Sequence, residues 1–147
     1  MSQENIEIAL RWTAAINARQ VPEELLAPDV RLENVTTAVT DRTYRGAEGV
    51  RQWISDFFDV LDEDARYEGD VIEAGDDYVV CKVRFVGRGS VSGAPVEMRY
   101  YGVAWIRDGK ITRAVGYPTR RQALEAVGLR EEPTELPDNT VQSPPRS

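Results

Sequence analysis

The stretch YVVCKVRFVGRGSVSGAPVEMRYYGVAWIRDGKITRAVGY, residues 78–117, decides the fold. Over 78–87, Val79, Cys81, Val83 and Phe85 alternate with Val80, Lys82, Arg84 and Val86, the period-2 pattern of a strand with one dry face. The connector over 88–95 is rich in Gly, Ser and Pro, and a second extended run covers 96–106. Asp108-Gly109 then separates that run from a third over 111–117, and Asp-Gly between two such runs is a strong hairpin signal. The expectation is an antiparallel meander of three sequential strands.

Working back toward the N-terminus, a strand is expected over 67–74, turned into the meander by Gly75-Asp76-Asp77 and preceded by an acidic loop over 62–64. Upstream, Val50, Trp53, Ile54, Phe57, Phe58 and Leu61 recur at i, i+3, i+4, i+7, i+8 and i+11, the stripe of an amphipathic helix that begins near Ala47. Residues 36–45 are polar and aperiodic, and read as a loop that arches over a cavity; 30–35 read as a short strand. Pro22 opens a helical turn through Leu26 that stops at Pro28. A first helix, capped by Ser2 and ending near Ala18 or Arg19, presents Ile6, Ala9, Leu10, Ala14 and Ile16 to a core with Trp12 at the rim. Beyond the meander, Thr119 and Gln122 have the spacing of a capping box for a last helix carrying Ala123, Leu124 and Val127, with Gly128 as its stop. Residues 131–147 hold four of the eight prolines. The expected division is therefore one domain over 1–130 and a Pro-rich acidic tail over 131–147 without fixed structure.

At 147 residues the chain is the size of one domain, long enough to bury roughly two thirds of its unfolded surface. A net charge of -7 without a dense Lys/Arg run argues against a nucleic-acid partner. The absence of histidine removes His-based triads, His general bases and His metal sites, and a single cysteine leaves no internal disulfide and no Cys cluster for zinc. Neither acidic pair, around Asp64 or at Asp76-Asp77, has calcium-loop spacing, so no metal is expected. A polar, acidic start and the lack of an apolar run of roughly 20 residues predict no secretory leader, no membrane partner and a cytoplasmic location.

Four segments carry a family resemblance: YRGAEGV at 44–50, VIEAGDDYVV at 71–80, IRDGKI at 106–111 and RRQALEAVGL at 120–129. Together they resemble the SnoaL-like branch of the nuclear-transport-factor-2-like, or ketosteroid-isomerase-like, superfamily, over about residues 4–129. The resemblance implies an α+β fold of the cystatin-like kind: a cone-shaped α+β barrel, its curved antiparallel sheet wrapped around helices and a deep apolar pocket. It also implies cofactor-free chemistry. The scaffold hosts isomerases, polyketide cyclases, epoxide hydrolases, dehydratases and non-catalytic binding modules, so activity has to be argued from the site. In ketosteroid isomerase-like members the base falls at Asn34 here, and the protonated acid at Gly102. An epoxide hydrolase-like Asp-Arg-Asp set falls on Lys82, Arg84 and Gly116, and a cyclase-like acid also near Gly116. No familiar catalytic set is carried over.

The pocket expected from these readings is bounded by Trp12, Asn34, Tyr44, Trp53, Met98, Tyr100, Gly102 and Gly116. Asn34 and Tyr44 have two readings, as holders of a carbonyl, epoxide or amide oxygen or as local loop anchors. Trp12 and Trp53 read either as flat walls for an aromatic ligand or as core. The parity of Gly102 also holds Val96, Met98, Tyr100 and Ala104, and that of Gly116 holds Thr112 and Ala114; small inward residues predict a wide, mostly apolar cavity with Tyr100 as its polar handle. Strand parity puts Cys81 inside as a small hydrophobe and Lys82 and Arg84 outside, whereas the epoxide hydrolase alignment turns those two cations inward.

The opposite parity carries Tyr101, Val103 and Trp105, then Ile111, Arg113, Val115 and Tyr117. An apolar centre ringed by charge suits a partner surface, and with the sheet-to-sheet dimers of the resembled superfamily it predicts a homodimer through Tyr101, Val103, Trp105, Val115 and Tyr117. The alternative is a monomer with amphipathic strands. For function two readings stand: an isomerase, cyclase or hydrolase on a small apolar or aromatic ligand, or a non-catalytic binding or interaction module that keeps the pocket.

Overall fold

The structure is a computed structural model that describes residues 2–34 and 43–129. In chain order its elements are α1 (Gln3–Asn17), a 3-10 turn (Glu23–Leu25), β1 (Leu26–Asn34), β2 (Thr43–Arg45), α2 (Gly46–Phe58), β3 (Arg66–Ala74), β4 (Tyr78–Arg88), β5 (Pro95–Arg107), β6 (Lys110–Tyr117) and α3 (Arg120–Ala126). The six strands form one curved sheet in the order β2-β1-β6-β5-β4-β3, which does not close on itself. The expected tail over 131–147 and the expected loop over 36–42 lie outside the described residues. Among the described residues no helix is long and apolar enough to cross a membrane.

The meander forms as read. β4 pairs antiparallel with β5 along its length, and β5 with β6. Asp108 and Gly109 both have positive φ, 53° and 75°, as the two central residues of a type I′ hairpin require. The sheet is nonetheless not wholly antiparallel. β1 pairs parallel with β6, Leu32 opposite Ala114 and Asn34 opposite Gly116, because the strand that leaves α1 enters beside the last strand of the meander rather than beside its sequence neighbour. Pro28 does not end the turn; it lies within β1. Thr43–Arg45, expected as loop, is a strand with Tyr44 opposite Leu32.

α1 and α2 lie in the concave side. Ser2 Oγ accepts from the Asn5 amide as the cap of α1. The buried residues of α1 are Asn5, Ile8, Ala9 and Ile16, whereas Leu10 is 56% exposed. The expected stripe is thus out of phase: positions 5, 8, 9, 12 and 16 share one helical face and Leu10 points away from it. What sets that phase is polar. The Asn5 carboxamide donates to the carbonyls of Gly75 and Asp76 at 2.9 and 3.2 Å, and at the far end Asn17 pairs with both backbone groups of Tyr67 at 2.7 and 2.8 Å. Two asparagines therefore fasten α1 along the edge strand β3 and satisfy edge groups that would otherwise be bare.

On α2, Val50, Trp53, Ile54 and Phe58 are buried as expected. Gly49 permits close approach, since a Cβ there would meet the Tyr44 carbonyl carbon at 2.7 Å. The core centres on Phe85, 1% exposed, whose ring contacts Phe57 at 4.8 Å, Tyr67 at 4.9 Å and Phe58 at 5.6 Å between centroids; such aromatic pairs each add about 0.5–1.5 kcal/mol beyond burial.

The convex side corrects two expectations. α3, capped by Thr119 Oγ1 accepting from the Gln122 amide, lies across β4, β5 and β6, so the helices do not all cover one face. Its Ala123 closes a second small core over Val80 and Val103, which are 0% and 1% exposed. Val103 and Val115 are therefore already buried within one chain and have nothing to offer a partner, while Tyr101, Trp105 and Tyr117 stay half-buried. Ile111 also departs from its expected side. A bulge in the β5–β6 pairing brings it opposite Ile106 and into the main core, one extra residue having reversed the parity at that end of β6.

Candidate functional site

Between the concave face of the sheet and α1 and α2 lies a cavity of about 80 Å³. The residue types at its floor are small because β5 and β6 place Gly102 directly opposite Gly116 and Ala104 opposite Ala114. Its roof and walls are rings. Trp12 stacks on Trp53 at 5.7 Å between centroids and 29° between planes, and Trp53 meets Tyr67 edge-on at 6.3 Å. The wide cavity expected from the small inward residues is therefore narrow, since Trp12, Trp53, Tyr67 and Tyr100 occupy the space those residues leave.

Of the expected pocket residues, Trp12, Tyr44, Trp53, Tyr100, Gly102 and Gly116 line this cavity. Met98 does not; it packs against the core opposite Phe85. Asn34 ends β1 opposite Gly116, and the role expected for its side chain falls outside the described residues. Tyr44 is 3% exposed and its hydroxyl donates to Asp56 Oδ2 at 2.6 Å, so its ring forms wall while its polar end is engaged on α2. Lys82 is exposed, and Arg84 is bound by Glu68 and Glu97 on the convex side. Strand parity thus decides against inward cations.

The polar centre of the cavity includes a residue that sequence reading did not single out. Tyr67, on β3, accepts a hydrogen bond from Trp12 Nε1 at 3.1 Å and interacts with the Tyr100 hydroxyl. The signal was present: Tyr67, Gly69 and Val71 alternate with Glu68 and Asp70, which puts Tyr67 on the dry side of β3. Cys81 lines the same space. Glu33 borders the cavity through its strand, but its carboxylate is held on the convex face by Arg113 at 2.9 Å, and that hydrogen bond lowers its pKa.

Burial dominates the electrostatics. It raises the Tyr67 phenol, with the neighbouring Cys81 adding to the rise and the donors Trp12 and Tyr100 opposing it. It raises Tyr100 well above a free phenol, aided by Tyr67 and Cys81. It pushes the Cys81 thiol up to about 12, with Asp70 contributing. All three are neutral at pH 7, so the thiol is no nucleophile there and neither phenol is a base. Among the described residues no three Asp, Glu, Cys or His side chains converge to hold a metal. The arrangement offers neutral hydrogen bonding inside an apolar shell.

Comparison with known proteins agrees with this architecture. A SnoaL-like domain profile matches residues 9–114. Among solved structures, a proposed SnoaL-like polyketide cyclase from Jannaschia sp. CCS1 superposes with a TM-score of 0.66 at 17% identity, covering 80% of this chain and 88% of that one. A proposed isomerase from Bacillus subtilis superposes at 0.63 and 17% identity, over 86% and 94% of the two chains. A Mycobacterium tuberculosis protein in complex with estradiol-17β-hemisuccinate gives 0.64 at 16% identity, over 81% and 96%. At these identities the likeness is one of fold. No curated protein matches the chain significantly.

Proposed function

We propose, from the premise that the chain belongs to the SnoaL-like domain family, that its cone binds a compact, uncharged, largely apolar molecule and performs no proton transfer on it. The observation that carries this reading is the neutrality of the cavity wall: Tyr67, Tyr100 and Cys81 all have raised pKa values. Acid–base catalysis of an isomerase or cyclase type needs a base within about 3 Å of the reacting carbon and a pKa near the working pH. Among the described residues that line the cavity, none meets this. The positions that the family resemblance marks for carboxylates hold Asn34, Lys82, Gly102 and Gly116.

Size narrows the ligand. Pockets for drug-sized ligands measure roughly 300–1,000 Å³, and this cavity measures about 80 Å³. The mycobacterial neighbour was solved with an estradiol derivative, which supports an organic ligand in principle, but here the rings of Trp12 and Trp53 restrict it to a smaller one. Thermal unfolding tests the reading with size-matched probes such as acetone and acetate. The uncharged probe raises Tm, since ligand at 100 times its Kd adds about 2.7 kcal/mol, and the anion does not, since the cavity holds no cation to pair it. Equal stabilisation by both would overturn the reading.

The rest of the convex face, Tyr101, Trp105 and Tyr117, is proposed to meet a second copy of the chain. Light scattering at micromolar concentration tests this, a mass near twice 16.5 kDa supporting it and a mass of 16.5 kDa refuting it.

A further inference from the structure

We propose that the acidic segment over 131–138 docks through its carboxylates on a row of three arginines across the convex side of the sheet. Arg45 on β2, Arg31 on β1 and Arg113 on β6 stand opposite one another in register, and Trp105 on β5 and Tyr78 on β4 continue the line. Their chain neighbours Tyr44, Leu32, Ala114 and Ala104 belong to the concave core, so strand parity puts the row on the convex side. Among the described residues one carboxylate is paired with this row: Glu33, at 2.9 Å from Arg113 and 3.7 Å from Arg31. Arg45 is exposed. Three cations around one anion, in a chain of net charge -7, make a positive strip. On β3, β4 and β5 the charges come closer to balance, since Glu68 and Glu97 alternate with Arg66, Arg84 and Arg99.

The chain itself supplies the counter-charge and delivers it to the right place. Val127, at the end of α3, packs on the same small core as Trp105 and Tyr78, so α3 ends at the aromatic end of the row. There Gly128, with φ of 82°, and the Leu129 amide, which donates to the Leu124 carbonyl at 2.9 Å, turn the backbone out of the helix. Beyond Leu129, residues 131–138 hold Glu131, Glu132, Glu135 and Asp138, no cation, and the prolines Pro133 and Pro137. A polyproline II segment has three residues per turn, which would set Glu132, Glu135 and Asp138 on one side about 9 Å apart. Arg113 and Arg45 are two strands apart, about 9.5 Å. Glu132 comes three residues after Leu129, a reach of about 10 Å. Length and spacing therefore match Glu132 to Arg113 and Glu135 to Arg45. Each exposed pair is weak, but the tether holds the local concentration of the segment near the millimolar range.

NMR on the full chain tests the docking. A variant carrying Glu132→Gln, Glu135→Gln and Asp138→Asn is compared with the unaltered chain at the side-chain Nε–H signals of its arginines. Those of Arg31, Arg45 and Arg113 are expected to shift and those of Arg66, Arg84 and Arg99 to stay, while Arg45→Gln in turn shifts the backbone amides of 132–138. Raising NaCl from about 0.1 to about 1 M, which shortens the screening length from about 10 to about 3 Å, should move the three signals of the unaltered chain toward their positions in the variant. Arginine signals that ignore the loss of the three carboxylates would overturn the proposal; if a separate peptide of residues 130–139 then moves them, the strip serves an acidic segment of another protein. Differences between chain and variant that fade on dilution would also overturn it, because they assign the segment to a second copy.

Discussion

Replacing Tyr67 by Phe removes one oxygen from the middle of the cavity and leaves the ring. The ring still packs on Phe85 at 4.9 Å and against Trp53, so the loss is confined to polar contacts. Trp12 Nε1 loses its partner at 3.1 Å, and Tyr100 loses its neighbouring hydroxyl. An orphaned buried donor costs about 1–3 kcal/mol, which for a domain of this size lowers Tm by roughly 4–12 °C. Tyr100→Phe, by contrast, leaves the Trp12–Tyr67 bond whole and should cost less than about 1 kcal/mol. A double-mutant cycle by urea unfolding isolates the pair: in a Trp12→Phe background, Tyr67→Phe should become cheaper by about 1 kcal/mol. A coupling below about 0.3 kcal/mol would show that the bond carries no stability, and the polar centre would have to be redrawn.

Other outcomes follow from the same geometry. Phe85→Ala empties the centre of the aromatic cluster and should cost about 3–5 kcal/mol in urea unfolding; a loss under about 1 kcal/mol would mean that Phe85 is not the core's centre. At Gly102 a Cβ would meet Tyr100 and Val83 at 3.7 Å, ordinary contact distance, so Gly102→Ala should change stability by less than about 1 kcal/mol while it removes ligand binding by taking cavity space. Unchanged affinity in that variant would place the ligand elsewhere. Stability should also fall at alkaline pH. The three cavity groups have folded pKa values raised above their free values of 9.0 for Cys81 and 10.0 for the two tyrosines. Their contribution is complete below about pH 9, and as pH rises the unfolded chain ionises first, so stability drops by up to about 1.4 kcal/mol per pH unit per group. Stability that stays constant to about pH 11 would contradict the burial of these groups.

Most of the sheet was legible because its signals are local. Alternation over 78–87 and the Asp108-Gly109 turn each specify structure within a few residues, and both proved correct in the pairing of β4, β5 and β6. The family resemblance led to the same architecture. What escaped reading depends on contacts distant in sequence. The parallel entry of β1 beside β6 is a choice of neighbour that no local pattern encodes. The bulge that turns Ile111 inward has no turn residue to announce it. On α1, Leu10 is as apolar as Ile8, and the helix takes its phase from Asn5 and Asn17, whose partners lie about 70 and 50 residues away. Of the residues read as pocket wall, Trp12, Tyr44, Trp53, Tyr100, Gly102 and Gly116 line the cavity, whereas its small volume was not foreseen because ring packing in three dimensions fills it. Tyr67 stood in a correctly read strand and was passed over because its partner, Trp12, sits 55 residues away.

The claim on which the functional account stands is that the cavity wall is neutral throughout the physiological range. Measuring the Kd of a compact uncharged probe such as acetone from about pH 5 to 9 tests it most directly, because such a probe reports only on ionisation of the protein. The account predicts a constant Kd, within about twofold, across that window; a sigmoidal or bell-shaped change of fivefold or more would reveal a titrating group at the ligand and contradict it.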